Sequence, residues 1–190
     1  MPTRRPGRPG TPVVGRERIL AGALALLKEG GLSAVTMRGL ARRLRVDPMA
    51  LYHYYGDRDA LLRAAADVAY ARLRVPATRT ASCRARLETL ATAYLELLAG
   101  AGELLRYVTA RPDASRGPER RFEPLFRHAV APIALNPRQH RLARDTFVDF
   151  LHGFALALSD GMTVSLRRRL RQELRLISAG ILELARGGAH

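Results

Sequence analysis

Residues 36–55 decide the fold, and they read TMRGLARRLRVDPMALYHYY. Thr36 is a good N-cap residue, so the stretch predicts a short helix over Met37–Leu44. A three-residue turn at 45–47 follows, and its aspartate caps a second helix over 48–55. The proline of that helix occupies the first position, where a missing N–H costs nothing. Two short helices joined by such a turn predict a helix-turn-helix, whose second helix enters the major groove of DNA.

The second helix has an outward face that suits a partner better than water. Two turns of helix are not stable alone, and Leu51 and Tyr55, four residues apart, are expected to anchor it in the core. The outward residues are Pro48, Met49, Tyr52 and His53, ringed by Arg38, Arg42, Arg43, Arg45 and Arg58. Exposing methionine, tyrosine and histidine together among arginines indicates a surface that contacts DNA.

The rest of the chain also has a helical pattern. Apolar residues recur at three-and-four spacing over residues 19–27, and Gly30-Gly31 is expected to stop that helix. Almost no stretch alternates with period two, so we predict an all-α fold of about nine helices. After a helix capped by Asp57 and ended by Pro76, the remaining helices are expected at 81–99, 102–110, 119–130, 138–159 and Val164–Arg186, with a loop at 111–118.

Composition bounds the function. The 190 residues are 47% apolar, enough for a core, and 32 Lys and Arg against 17 Asp and Glu give a net charge of +15, which favours a polyanionic partner such as nucleic acid. A single cysteine, Cys83, excludes an intramolecular disulfide and cannot make a zinc site alone. The longest charge-free runs are about half the roughly 20 residues of a membrane-spanning helix, and the N-terminus lacks the apolar stretch of a signal peptide. We therefore expect a soluble, cytoplasmic protein without membrane contact.

Three blocks of sequence around these helices resemble the N-terminal domain of the tetracycline-repressor (TetR) family. The blocks are residues 31–41, 44–55 and 57–62, which share a capping threonine, a Leu-Ala pair, a Leu-Tyr block and a capped cation with the family's pattern. Four features depart from it: the family's turn glycine is Arg45, its capping serine is Asp47, its His-Phe pair is Tyr54-Tyr55 and its Asn-Lys pair is Asp57-Arg58. A left-handed Arg45 would carry backbone strain.

The resemblance assigns DNA-contacting roles by position. Thr36, Tyr52, Tyr54 and Arg58 are expected at phosphates, and Arg38, Pro48, Met49, Ala50 and His53 at base edges or the groove wall. Side-chain chemistry agrees, since arginine binds guanine bidentately and a small or apolar side chain packs on a thymine methyl. The partner that the resemblance implies is a double-stranded DNA operator.

The chain divides into four expected parts. They are a disordered basic arm (1–14), the helix-turn-helix domain (15–56), a connecting helix (57–75) and a ligand-binding and dimerisation domain (76–190). The resemblance implies a homodimer through the last two long helices, and residues 147–158 are apolar nearly all round, as a helix buried on several sides requires. Candidate residues for a small-molecule pocket are Tyr107, Arg111, Phe122, Phe126, His128, Phe147, Leu151 and His152.

These features favour a ligand-responsive transcriptional regulator, a repressor released from a palindromic operator by a small apolar effector. A ligand-independent or architectural DNA-binding protein is the alternative. An enzyme is disfavoured, because the five histidines and 17 acids form no His-x-x-x-His, Gly-rich phosphate loop or nucleophile elbow; we expect no cofactor and no metal. The basic, amphipathic last helix suggests a membrane surface, but its apolar stripe lacks aromatic residues.

Overall fold

The computed structural model describes residues 14–75, 82–99, 102–156 and 163–187. Over these ranges the protein is built from nine α-helices and no strand, which confirms the predicted all-α class. The expected disordered arm lies, except for residue 14, outside the described residues. The helices are α1 (Arg16–Ala34), α2 (Met37–Leu44), α3 (Pro48–Tyr52), α4 (Arg58–Ala71), α5 (Cys83–Ala99), α6 (Gly102–Thr109), α7 (Pro112–Val130), α8 (Pro137–Leu156) and α9 (Val164–Arg186).

Most helix ends follow local sequence signals. The predicted bounds of α2 and α9 are confirmed, and so is the break at Gly30-Gly31, where α1 leaves helical geometry. Gly31 has φ 68° and ψ −167°, a conformation that only glycine adopts readily. α3 is shorter than the predicted 48–55, because the Tyr54 N–H bonds the Leu51 carbonyl three residues back and tightens the chain into a turn.

The predicted loop at 111–118 is wrong. α7 begins at Pro112 and continues through Pro118 and Pro124, although each interior proline removes one helical hydrogen bond. The side chains of Phe122 and Phe126 are buried on one face of this helix, and Pro118 is buried as well. Tertiary packing of that face therefore outweighs the local breaking tendency of the prolines.

The chain forms two compact units, one up to Ala65 and one from Ala66 onward, with the boundary inside α4. The first unit packs α1, α2 and α3 around fully buried leucine and isoleucine side chains, such as Ile19 and Leu40. In the second unit α5 packs against α7, α8 and α9, with Phe126 and Phe147 at the centre of its core. The finer division at 56/57 and 75/76 stays a prediction.

None of the helices in the described part of the chain has both the length and the hydropathy needed to cross a membrane.

Candidate nucleic-acid interface and cavity

A side-chain cap begins each helix of the helix-turn-helix. The Gly39 N–H donates to Thr36 Oγ1 at 2.9 Å, and the Met49 N–H donates to Asp47 Oδ1 at 2.7 Å, as both predicted caps require. Between them Arg45 adopts φ 57° and ψ 47°, the left-handed conformation that favours glycine. The turn between α2 and α3 thus combines the Asp47 cap with one arginine in the left-handed conformation.

α3 presents its polar and aromatic side chains outward, as predicted. Leu51 is completely buried and Tyr55 nearly so, while Met49 is 64% and Tyr52 44% exposed, and His53 is exposed as well. We call Met49, Tyr52 and His53 the outer face of α3. Burial of Leu51 holds a helix of only five residues in place, so its other side is left for a partner.

Three arginines of α2 and of the turn before α3 keep their charge available. Within residues 14–65, Arg38, Arg42 and Arg45 are exposed and have no acidic partner at ion-pair distance. Arg43 differs, because its guanidinium donates to both carboxylate oxygens of Glu29 at 2.7 and 2.8 Å, and this hydrogen bonding lowers the pKa of Glu29. The sequence alone could not show that Arg43 is ion-paired and that the other three arginines are not.

Arg58 has a structural role that the sequence did not reveal. Its Nε donates to the Val35 carbonyl at 2.6 Å and its Nη2 to the Leu32 carbonyl, so it joins the start of α4 to the connection between α1 and α2. The side chain is half-buried. Its expected phosphate contact stays a prediction, and the geometry adds that Arg58 positions the first unit's helices.

The other predicted DNA contacts also lie on or beside the helix-turn-helix. Arg38 and Thr36 are exposed at the start of α2, and Pro48, Ala50 and Tyr54 are half-buried on and just after α3. The structure therefore brings the whole predicted set to one part of the first unit.

Residues 19–65, which include α1, α2 and α3 almost entirely, match the family model described as bacterial regulatory proteins, tetR family. This segment of the chain is similar to the tetR family of bacterial regulatory proteins. The chain is a DNA-binding transcriptional regulator. A comparison with curated protein sequences found no match.

Solved structures show that the tetR fold extends over most of the chain. ActR of Streptomyces coelicolor in complex with (S)-DNPA is 22% identical with a TM-score of 0.72, over 90% of this chain and 98% of that one. BioQ of Mycobacterium smegmatis is 22% identical with a TM-score of 0.75, over 90% and 99%. BioQ with its natural double-stranded DNA operator is 23% identical with a TM-score of 0.74, over 90% and 99%.

In the second unit, Tyr70 near the end of α4 and residues of α5 to α8 line an open cavity of about 550 Å³. A volume of this size is ordinary for a small-molecule site. The aromatic part of its wall is Tyr70, Tyr94 and Phe122, and its ionisable part is Glu119, Arg144, Asp145, Asp149 and His152. Val108, Thr109, Ser115, Pro118 and Val148 complete the lining.

Only part of the predicted pocket set lines this cavity. Phe122 and His152 do. Phe126, Phe147 and Leu151 are instead buried in the core, Arg111 lies over the ring of buried Tyr107 at 4.9 Å, and His128 is exposed. The sequence did not single out the tyrosines of α4 and α5 or the carboxylates of α7 and α8, because helical spacing alone does not distinguish a cavity wall from ordinary core and surface.

A buried tyrosine–histidine pair and a second tyrosine define the polar chemistry of the cavity. Tyr94 Oη and His152 Nε2 are 2.8 Å apart. Burial lowers the pKa of His152, so the imidazole is neutral at neutral pH, and burial raises the pKa of Tyr94 well above its usual value. The Tyr70 hydroxyl is buried beside Tyr94 and, within the described residues, makes no hydrogen bond of ordinary geometry.

Proposed function

We propose that this regulator is a homodimeric repressor that binds a palindromic operator and leaves it when a small, mostly apolar molecule fills the cavity. The observation that carries the proposal is the outer face of α3. Its side chains are exposed, and this five-residue helix packs through Leu51 instead. Arg38, Arg42 and Arg45 flank it with available charge. The proposal assigns the protein to the cytoplasm, with no catalytic activity.

DNA contact divides between positioning and reading. We assign Tyr52, Arg42 and Arg45 to phosphates, which fix register without carrying sequence information. Arg38, at the start of α2, and Met49 and His53, on α3, are the side chains that we assign to base edges. Each phosphate neutralised by an arginine adds a salt-dependent increment to affinity.

The dimer is inferred from α8 and α9. Leu142 and Leu156 on α8 are 56% and 54% exposed, and Val164 and Leu176 on α9 are 81% and 76% exposed. An open groove between the two helices adds Ile177 and other apolar side chains to this surface. A two-fold partner that covers these faces removes them from water and sets the separation of the two α3 helices, which half-sites about one helical turn apart require.

Release by a ligand is inferred from the cavity and from α4. This helix begins at Arg58, which holds the first unit together, and carries Tyr70, which lines the cavity of the second. ActR has been solved with (S)-DNPA and with actinorhodin, and BioQ with its operator, which supports the same two kinds of partner here. A ligand weakens DNA binding by no more than the difference in its affinity for the two conformations.

The experiment is nuclease protection of the DNA flanking the protein's own gene, with an excess of unrelated duplex as competitor. We expect a protected palindrome, weakened in Arg45→Ala and unchanged in Arg186→Ala, an arginine that is exposed at the far end of α9. Uniform, sequence-independent coating that disappears with salt would replace the proposal by the architectural alternative, which the net charge of +15 otherwise favours.

A further inference from the structure

We propose that the cavity binds organic cations that carry a planar aromatic body. The inference deepens the proposed ligand response, and it rests on that function only for its biological meaning. It follows from three properties of the wall: its charge, its aromatic rings and one buried hydroxyl that makes no hydrogen bond of ordinary geometry.

The wall carries more negative than positive charge. Glu119, Asp145 and Asp149 face one basic side chain, Arg144, and the adjacent His152 is neutral because burial lowers its pKa. Arg144 is already committed: its Nη1 donates to Glu123 at 3.1 Å, and its Nε and Nη2 donate to Asp145 at 2.9 and 2.7 Å. An anionic ligand would therefore meet no available cation in this wall.

Two of the carboxylates lack a cationic partner. Glu119 accepts a hydrogen bond from the Ser115 hydroxyl at 2.7 Å, and Asp149 interacts electrostatically with His152. Across the ranges that the structure describes, neither carboxylate has an arginine or lysine within ion-pair distance. Both residues are exposed, so they lie where the cavity opens and where a ligand's charge remains partly hydrated.

The inner wall is aromatic and is arranged edge to face. The Tyr94 ring lies 6.0 Å from the Tyr70 ring and 5.2 Å from the Phe122 ring, at interplanar angles of 60° and 72°. Ring faces attract cations electrostatically, and a planar aromatic ligand packs against such rings. Aromatic rings inside and carboxylates at the opening together select a cation with an aromatic body.

The Tyr70 hydroxyl is the independent sign that a ligand belongs here. Tyr70 is only 2% exposed and lines the cavity, yet its hydroxyl makes no hydrogen bond of ordinary geometry in the described part of the chain, where its polar neighbour is the Tyr94 side chain. A buried polar group left unsatisfied destabilises the protein unless something enters to bond it. The hydroxyl oxygen accepts a hydrogen bond, which an N–H group of a ligand cation supplies.

The test compares two probes with the same ring system and opposite charge: 9-aminoacridine, a cation at neutral pH, and acridine-9-carboxylate. Binding to the full-length protein is measured by calorimetry and by the rise in melting temperature, without DNA, since acridines also bind DNA. We expect 9-aminoacridine to bind at least about tenfold more tightly than the carboxylate probe, which corresponds to about 1.4 kcal/mol.

Variants of the lining residues test whether the probe binds in the cavity. Asp149→Asn and Glu119→Gln should each weaken 9-aminoacridine severalfold, and the matched control Glu183→Gln, an exposed carboxylate on α9 outside the lining, should not. Tyr70→Phe should raise the melting temperature of the free protein, because it removes an unsatisfied hydroxyl, and should weaken the probe. If Tyr70 had only a structural role, the substitution would change the melting temperature and leave the affinity for 9-aminoacridine unchanged.

Three results would overturn the inference: acridine-9-carboxylate binding as tightly as 9-aminoacridine, no binding of either probe, or affinities for the cation that are unchanged in the Asp149, Glu119 and Tyr70 variants. Operator binding enters none of these measurements. A protein that binds the cation but protects no palindrome would refute the proposed repressor and keep this inference. A protein that protects a palindrome but does not bind the cation would refute this inference and keep the proposed repressor.

Discussion

Replacing Arg45 by glycine separates backbone strain from charge in the turn between α2 and α3. Arg45 has φ 57° and ψ 47°, and a side-chain-bearing residue in this left-handed conformation costs about 1–2 kcal/mol. Glycine removes that cost and gives back about 0.5–1 kcal/mol through the greater entropy of its unfolded chain. We therefore expect Arg45→Gly to raise the free energy of unfolding, by about 0.75 kcal/mol at the middle of the two ranges.

The same substitution should weaken DNA binding. Arg45 is exposed and, among the described residues, lacks an acidic partner, so its loss should lower the slope of log affinity against log salt concentration by about 1. Arg45→Ala is the matched control. Alanine also loses the charge but keeps a Cβ and hence the strain, so both variants should bind DNA equally weakly and only the glycine variant should gain stability.

Urea unfolding followed by circular dichroism gives the stability difference, provided that the slope of free energy against urea is the same in all three proteins. Fluorescence anisotropy of labelled operator at several salt concentrations gives the affinities. Equal stability of the glycine and alanine variants would refute the strain. Wild-type affinity and salt slope in both would refute the contact of Arg45 with DNA.

The remaining predictions concern Arg58, the dimer and Tyr52. Arg58→Ala should lower the free energy of unfolding by about 1–3 kcal/mol in urea melts, because the Val35 and Leu32 carbonyls lose their donor; unchanged stability would contradict the positioning role. Leu156→Asp and Leu176→Asp should give folded monomers in sedimentation, and a stable wild-type monomer at micromolar concentration would contradict the dimer. Tyr52→Ala should fold normally and bind all DNA sequences more weakly in gel shifts; a loss confined to one sequence would show reading instead.

Sequence reasoning succeeded where the signal is local. The caps at Thr36 and Asp47, the break at Gly30-Gly31 and the bounds of α2 are set by residues within four positions of each other. The inward and outward sides of α3 followed from its spacing in the same way. Such features depend on backbone hydrogen bonds and helical periodicity, which neighbouring residues determine.

Sequence reasoning failed where contacts between residues far apart in the chain determine the structure. α7 runs through Pro118 because packing outweighs the local effect of proline, and no window of sequence contains that packing. Arg58 bonds carbonyls 23 and 26 positions earlier. Helical spacing likewise does not distinguish Ile181, which is 4% exposed and packs within the protomer, from Leu176 on the same helix, which is 76% exposed.

The brevity of α3 has a consequence for folding cooperativity. A helix of five residues is not stable in isolation. Burial of Leu51 and the Asp47 cap therefore stabilise α3. Sub-global opening of the first unit and loss of α3 are then one event, so the amide hydrogens of residues 51–55 should exchange with solvent at the rate of that opening. The residues that recognise DNA exist as a helix only while the leucine beneath them stays buried.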